Sequence, residues 1–585
     1  MTTIVELLCA RSTRLPGFEG YRFKSHSAGQ HRTLSYRTLA NQAEAIAAEL
    51  QAHAEPGTRV ILLQPPGPEF LAGFMGCLYA GVIVIPASPP HREADFERLN
   101  MVIEDSGATV ILAPSKLRTD KLRLHLREPS GGLKWIDLDL ISEDRAAAWR
   151  KPDLTGESIA LIQYTSGSTG TPKGIKASHS NLLYNLEQIH QCFGHSRGDR
   201  GVIWLPPYHD MGLIGGILSP LYSQIPVTLF SPMDFIQQPF RWLETLSEER
   251  ATVSGGPNFA YDLCIRKVTS EQRARLDLSH WRVAFSGAET VRASTLARFA
   301  ETFRSCGFRP EAFLPCYGLA ESTLLVAGNT RERPPEIRVM PSSPPAEGET
   351  PAGPRLEVVS CGTPRGQRVL IVHPETLEPC VDEQIGEIWV SGPSVAQGYW
   401  GREAETQAVF RARCKGTVEG EFLRTGDLGF LAGGQLFVTG RLKEVLVIRG
   451  RNVFPQDIEL TAQRCHAALR PNGGAAFLVE SGEAEPRLVL VHEIESAKIG
   501  DKSYAELRGD IQEAVTKDHG VRVHEVRFVA PGKVPRTPSG KIRRGACREQ
   551  WVAGNLEAWE PVRRQPGRSA TEHPLQAARS AGGKP

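Results

Sequence analysis

A run of small residues set between a strand and a helix constrains this chain more than any other feature. Residues 164–174 read YTSGSTGTPKG. The apolar residues 159–162 ahead of them predict a buried strand. A helical pattern begins at His179, with Ser178 or Ser180 as its N-cap. Glycines let the backbone come close to a ligand, so successive N–H groups can converge on phosphate oxygens. The hydroxyls add donors and Lys173 adds a point charge. A phosphate-binding loop in an α/β framework is the expectation. A Walker A loop needs Gly before its Lys, whereas Pro172 stands there, and the run does not fit the G-x-S-x-G elbow of hydrolases.

The rest of the chain repeats the same alternation. Strands are expected at 59–63, 82–85, 109–113, 201–205, 227–230, 283–286 and 312–314, and helices at 34–54 and 69–79. Such alternation predicts βαβ units and parallel sheets. With 585 residues, more than one domain is required. We expect two α/β layers, then a small β-barrel with strands at 369–372, 387–390 and 435–438. A smaller α+β unit should follow. The assigned boundaries are an N-terminal domain at 1–440, a mobile C-terminal domain at 441–560 and a disordered tail at 561–585. Residues 329–354, rich in Pro, Glu and Arg, read as a surface insertion carrying a short strand at 337–340.

A net charge of +2 excludes a strong nucleic-acid or anionic-membrane field. The eleven cysteines form no C-x-x-C pair, which fits reduced thiols and a cytoplasmic protein. No signal peptide or membrane span is read, because the most apolar segment, 73–87, is short and interrupted by Gly81 and Pro86.

Several loops after strands carry chemistry. LPPYHDMGLIGG (205–216) puts His209 at the mouth of an apolar segment. SGAET (286–290) offers backbone to a flat ring through Gly287, Ala288 and Glu289. CYGLAES (316–322) supplies Tyr317 for stacking, Gly318 and Leu319 beside it, and Glu321 as a hard oxygen ligand for Mg2+. RTGDLG (424–429) holds Asp427, a carboxylate suited to ribose hydroxyls. Arg441 lies in GRLKEVLVIRG and Lys541 in VPRTPSGKIRR. Taken singly, each residue has an ordinary reading as a capping, packed or solvated group.

In this order and spacing the motifs resemble the adenylate-forming ANL superfamily, from about residue 34 to 548. Ala320 stands where that family usually has threonine. LPPYHDMGLIGGILSPLY, SGGPNFAYDLC (254–264), SCGTP (360–364) and RGRNVFPQDIE (449–459) resemble the fatty acyl-AMP ligases, as does the extra segment after Glu321. The resemblance implies ATP and Mg2+ as cofactors and a medium- or long-chain fatty acid as substrate. The acyl-adenylate would pass to the phosphopantetheine thiol of a holo-acyl carrier protein, or of a carrier domain in polyketide, lipopeptide or lipid biosynthesis. It also implies that Thr165, Ser166, Gly167, Ser168, Thr169, Gly170 and Lys173 hold the β- and γ-phosphates. Gly287, Ala288, Glu289, Tyr317, Gly318 and Leu319 would surround the adenine. Asp427 and Arg441 would serve the ribose side, and Glu321 the metal. His209 and Lys541 would flank the reacting carboxylate, with Lys443 as the hinge. Two other readings stand beside this one: a long-chain acyl-CoA synthetase and an inactive binding module that keeps the fold.

Overall fold

Short apolar runs, each closed by a glycine-, proline- or serine-rich turn, produce two mainly parallel sheets. The computed structural model describes residues 1–25, 31–127, 132–165, 172–329, 333–341, 355–416, 419–448, 451–481, 484–537 and 540–559. The larger sheet has nine strands. In spatial order they are Thr363–Pro364, Leu325–Gly328, Phe313–Gly318, Val283–Ser286, Val253–Gly256, Gly201–Ile203, Val227–Leu229, Glu19–Lys24 and His31–Ser35. Its central neighbours run parallel and its outer ones antiparallel. The six-stranded sheet runs Lys134–Asp137, Val110–Ala113, Arg59–Leu63, Ile83–Ala87, Ile159–Thr165 and Lys173–Ser178. Helix Pro68–Ala80, which opens the most apolar segment of the chain, is buried at every residue but Glu69. No helix among the described residues is long and apolar enough to cross a membrane.

Three expectations need correction. Lys173–Ser178 is a strand, antiparallel to Ile159–Thr165, so the glycine run closes a hairpin before the helix His179–Phe193 begins. Ser178 caps that helix by accepting from Asn181 N–H at 3.1 Å. The helix expected at 34–54 spans Tyr36–Gln51, because Leu34 and Ser35 belong to an edge strand. At the expected barrel lies a four-stranded antiparallel sheet of Arg368–Val372, Gly386–Ser391, Leu423–Ala432 and Gln435–Arg441. The bridge Ser360–Phe437 extends its edge.

The strand Ile337–Pro341 pairs with Arg355–Val359 and brackets the inserted segment. Met340 and Val358 pack on Phe430 and Phe437, so this hairpin rests on the four-stranded sheet. Beyond Arg441 comes a one-turn helix, Leu442–Glu444, and then an α+β unit. That unit holds the sheet Leu469–Ser481, Ala484–Ile494 and Val523–Val529, with its own apolar core. The tail at 561–585 lies outside the described residues.

Candidate active site

The carboxyl ends of parallel strands leave a crevice where ligands of α/β proteins bind. The motif residues collect there. Asp427 and Arg441 face each other across adjacent antiparallel strands. Arg441 Nε lies 3.0 Å from Asp427 Oδ1, and the Tyr317 hydroxyl donates to Oδ2 at 2.8 Å. Both carboxylate oxygens of Asp427 are therefore engaged, and the residue is buried. Burial pushes the Tyr317 hydroxyl well above its ordinary range, and the Asp427 charge adds to this, so it stays a donor.

Lys541 reaches this cluster from the C-terminal unit. Burial lowers its pKa, as does Arg441, while Asp210, Glu289 and Asp427 pull it back. The loop that carries it is pinned by Thr537 N–H to Lys541 O at 2.8 Å and by Lys541 N–H to Thr537 Oγ1 at 3.0 Å. Gly540 adopts φ +86° and sits against the Phe259 ring. Phe259 N–H in turn donates to Glu289 Oε1 at 2.6 Å. Burial raises the Glu289 pKa, against the pull of that N–H, Arg292 and Lys541.

His209 Nδ1 lies 2.6 Å from Asp210 Oδ1. Burial works to raise the Asp210 pKa, but His209 and Lys541 outweigh it and the carboxylate is held below its usual range. Asp210 also accepts from Met211 N–H and opens an eight-residue π-helix, Met211–Leu218. π-helical turns are rare and concentrate at functional sites. Here the turn begins two residues after His209, and Met211, Leu213 and Ile214 are buried in the core beneath it.

Ala288 adopts φ +67° in the loop after Val283–Ser286. That is costly for a residue with a Cβ and turns the backbone of Gly287–Glu289 outward from the strand end. Gly318 ends its strand, with Leu319 half-buried beside it.

Glu321 is half-buried, and the Tyr399 hydroxyl lies 3.3 Å from its Oε1. Burial raises its pKa against the attraction of Arg441. Among the described residues no three His, Cys, Asp or Glu side chains converge as a metal cage. A cation held by one carboxylate and completed by phosphate and water oxygens fits this donor set, which is the habit of Mg2+.

Thr165 ends its strand opposite Lys173. Lys173 ion-pairs with Glu405, and its ammonium lies 5.0 Å from the Tyr399 ring centre. Ser166, Gly167, Ser168, Thr169 and Gly170 lie outside the described residues. Lys443 is exposed on the turn Leu442–Glu444, between the four-stranded sheet and the C-terminal unit. Sequence reasoning missed Tyr399 and Glu405, which stand in no recognisable pattern, and gave no role to Phe259 within the stretch 254–264. It also missed the π-helix, since MGLIGGIL is uniformly apolar.

A family model described as AMP-binding enzyme matches residues 15–400. A second, described as Disco-interacting protein 2-like, AMP domain, matches residues 443–560. The chain is 43% identical over 581 residues to the medium-chain-fatty-acid–[acyl-carrier-protein] ligase JamA of Moorena producens, covering 96% of each chain. It is 35% identical to a 4-hydroxyphenylalkanoate adenylyltransferase of Mycobacterium tuberculosis, covering 94% of this chain and 92% of the other. A crystal structure of a fatty acyl-adenylate ligase from L. pneumophila, in complex with acyl adenylate and pyrophosphate, superposes with a TM-score of 0.74. The two share 38% identity, over 94% of this chain and 96% of that one.

Proposed function

We infer, since this chain belongs to the AMP-binding enzyme family and within it to the fatty acyl-AMP ligases, that it activates a medium- or long-chain fatty acid with ATP. A fatty carboxylate is a poor electrophile, and coupling to AMP gives it a leaving group. One carboxylate oxygen attacks the α-phosphorus, the bond from that phosphorus to the bridging oxygen breaks, and pyrophosphate departs. A thiolate then attacks the acyl carbon and AMP leaves with its electron pair. The acceptor thiol is the phosphopantetheine of a holo-acyl carrier protein or carrier domain, a reading supported by the JamA ligase.

Catalysis of such transfer is mainly positioning and charge neutralisation. The observation that carries the reading is Lys541, held in the field of Asp210, Glu289, Asp427 and Arg441. We assign it to neutralise charge building between carboxylate and α-phosphate. His209, braced by Asp210, walls the carboxylate side. Tyr317 and the backbone of Gly287, Ala288, Glu289, Gly318 and Leu319 hold adenine. Asp427 holds the ribose hydroxyls, with Arg441 paired to its carboxylate. Thr165, Lys173 and residues 166–170 take the β- and γ-phosphates, for which Lys173 leaves Glu405. Glu321 would hold Mg2+, which supplies charge neutralisation on the phosphates. Lys443, in the exposed link, is the pivot between a unit at 1–440 and one at 441–560. The scattered free thiols support a cytoplasmic setting.

Fatty-acid-dependent exchange of pyrophosphate into ATP tests the assignment. Lys541→Ala should lower it about 10²–10³-fold, the usual loss on removing one such donor. ATP binding should be retained. Wild-type exchange in that variant would remove Lys541 from the mechanism, and no exchange in the wild type would leave an inactive binding module.

A further inference from the structure

At the ends of two strands of the larger sheet lie two buried polar atoms without partners among the described residues. Trp204, one residue past Gly201–Ile203, is 3% exposed, and Ser286, the last residue of Val283–Ser286, is fully buried. Neither Trp204 Nε1 nor Ser286 Oγ has a hydrogen-bond partner among the described residues. Two other tryptophans of the same aromatic cluster are satisfied. Trp242 Nε1 donates to Ser254 Oγ at 2.8 Å, and Trp281 Nε1 donates to Val283 O at 2.9 Å. Leaving a buried donor unpaired costs about 1–3 kcal/mol, so each such group calls for an explanation.

The two atoms belong to one face of the sheet. Gly256 pairs in register with Ser286 on the neighbouring parallel strand, so their side-chain directions match. A Cβ on Gly256 would meet Trp204 Cζ2 at 2.7 Å and Cε2 at 3.4 Å, so the indole covers Gly256 on the face that bears the Ser286 hydroxyl. One aromatic ring, Phe259, links this face to Gly540, the neighbour of Lys541. Phe259 touches the Gly540 position at 3.0 Å and packs edge-on against Trp204 with centroids 6.1 Å apart. Phe235 stacks on Trp204 at 3.9 Å and lies 6.5 Å from Phe259. Phe259 therefore joins this face to the loop that carries Lys541.

We propose that Trp204 Nε1 and Ser286 Oγ form a polar subsite in the acyl path, which accepts an oxygen on the substrate chain: a hydroxyl or a keto group. The proposal rests on the fatty-acid reading of the site. A plain alkyl chain leaves both groups unpaired, whereas an oxygen at the right carbon takes the indole N–H and the seryl O–H. Specificity of this kind comes from the penalty of unpaired groups with the wrong substrate.

The test is pyrophosphate exchange with dodecanoate and with positional series of hydroxy- and oxododecanoates. The readout is the ratio of kcat/KM for oxygenated over plain acid within each protein, so a general loss of activity in a variant cancels. In the wild type, acids oxygenated at one position, or two adjacent ones, should be favoured at least threefold to tenfold, the range of one net hydrogen bond. Trp204→Phe keeps a ring and removes the N–H, and Ser286→Ala removes the hydroxyl. Each should pull the ratio toward one. A wild-type ratio at or below one for every position overturns the proposal, as does a preference unchanged in both variants. Absence of exchange with dodecanoate and with every oxygenated acid would instead overturn the fatty-acid reading itself.

Discussion

Gly540→Ala should slow adenylation about five- to thirtyfold and leave the fold intact. Gly540 has φ +86°, and an added Cβ would lie 3.0, 3.2 and 3.4 Å from three atoms of the Phe259 ring. Left-handed backbone costs a residue with a Cβ about 1–2 kcal/mol. The ring contacts are tight but fall on a half-buried side chain that can yield by a few tenths of an ångström. The strain therefore falls on the docked loop, whose turn is closed by Gly540 N–H to Thr537 O at 2.9 Å. Since about 1.4 kcal/mol is tenfold in a population, the docked fraction drops by the factor given. The apolar cores of the C-terminal unit do not include residue 540, so thermal stability should hold. The assay is pyrophosphate exchange at saturating ATP and fatty acid, run beside thermal unfolding. Transfer from a preformed acyl-adenylate to a holo-carrier protein serves as the control, because that step needs no Lys541 on the α-phosphate. Wild-type exchange in the variant would refute the idea that this loop geometry places Lys541. An equal drop in both half-reactions would show a general defect instead.

Other perturbations have defined outcomes. Arg544 bridges Glu459, at 2.7 and 2.8 Å, and Glu444, at 2.6 Å, and Glu459 is buried. Arg544→Ala leaves that carboxylate uncompensated and should destabilise the C-terminal unit by about 3–5 kcal/mol in a denaturant titration. Burial pushes the Asp457 carboxyl up to about 7, against Arg292 and Arg544 and with the help of Glu459. Folding therefore favours its protonated form, and stability falls as pH rises from the ordinary carboxylate range through about 7. Asp457→Asn should melt higher than wild type above pH 7, with the gap closing toward pH 4. A pH-independent gap would show that Asp457 is not the titrating group. Lys541, with its pKa lowered by burial and Arg441, should bring the alkaline limb of kcat/KM for adenylation below that of an ordinary lysine. Lys541→Arg should move that limb upward even where the rate is reduced.

Most of the site was legible because its residues sit in motifs at strand ends, where a loop must turn and a side chain can face the crevice. Tyr317, Glu321, Asp427, Arg441 and Lys541 were all named from such loops, although 224 positions separate Tyr317 from Lys541. What escaped was either tertiary or hidden by composition. Tyr399 meets Glu321, and Glu405 meets Lys173, only through the fold. The strand Lys173–Ser178 is short and begins Lys-Gly, so alternation has little length in which to show. The run Met211–Leu218 contains no polar residue to reveal its period, and a π-turn there cannot be told from an α-turn by pattern. The polar atoms of Trp204 and Ser286 were invisible for a similar reason. Ser286 opens the SGAET loop and Trp204 precedes LPPYHD, and neither context tells whether the side chain has a partner; none is found among the described residues.

The central claim concerns the acceptor as well as the adenylate. The paired strands Ile337–Pro341 and Arg355–Val359 rest on the four-stranded sheet through Met340 and Val358, and the proposed preference for a carrier protein over coenzyme A concerns the segment between them. Incubating the enzyme with dodecanoate, ATP and Mg2+, and offering coenzyme A or a holo-acyl carrier protein in parallel, tests the claim most directly. The account predicts acyl-adenylate in both tubes and efficient thioester only on the carrier protein. Efficient acyl-coenzyme A formation would contradict it.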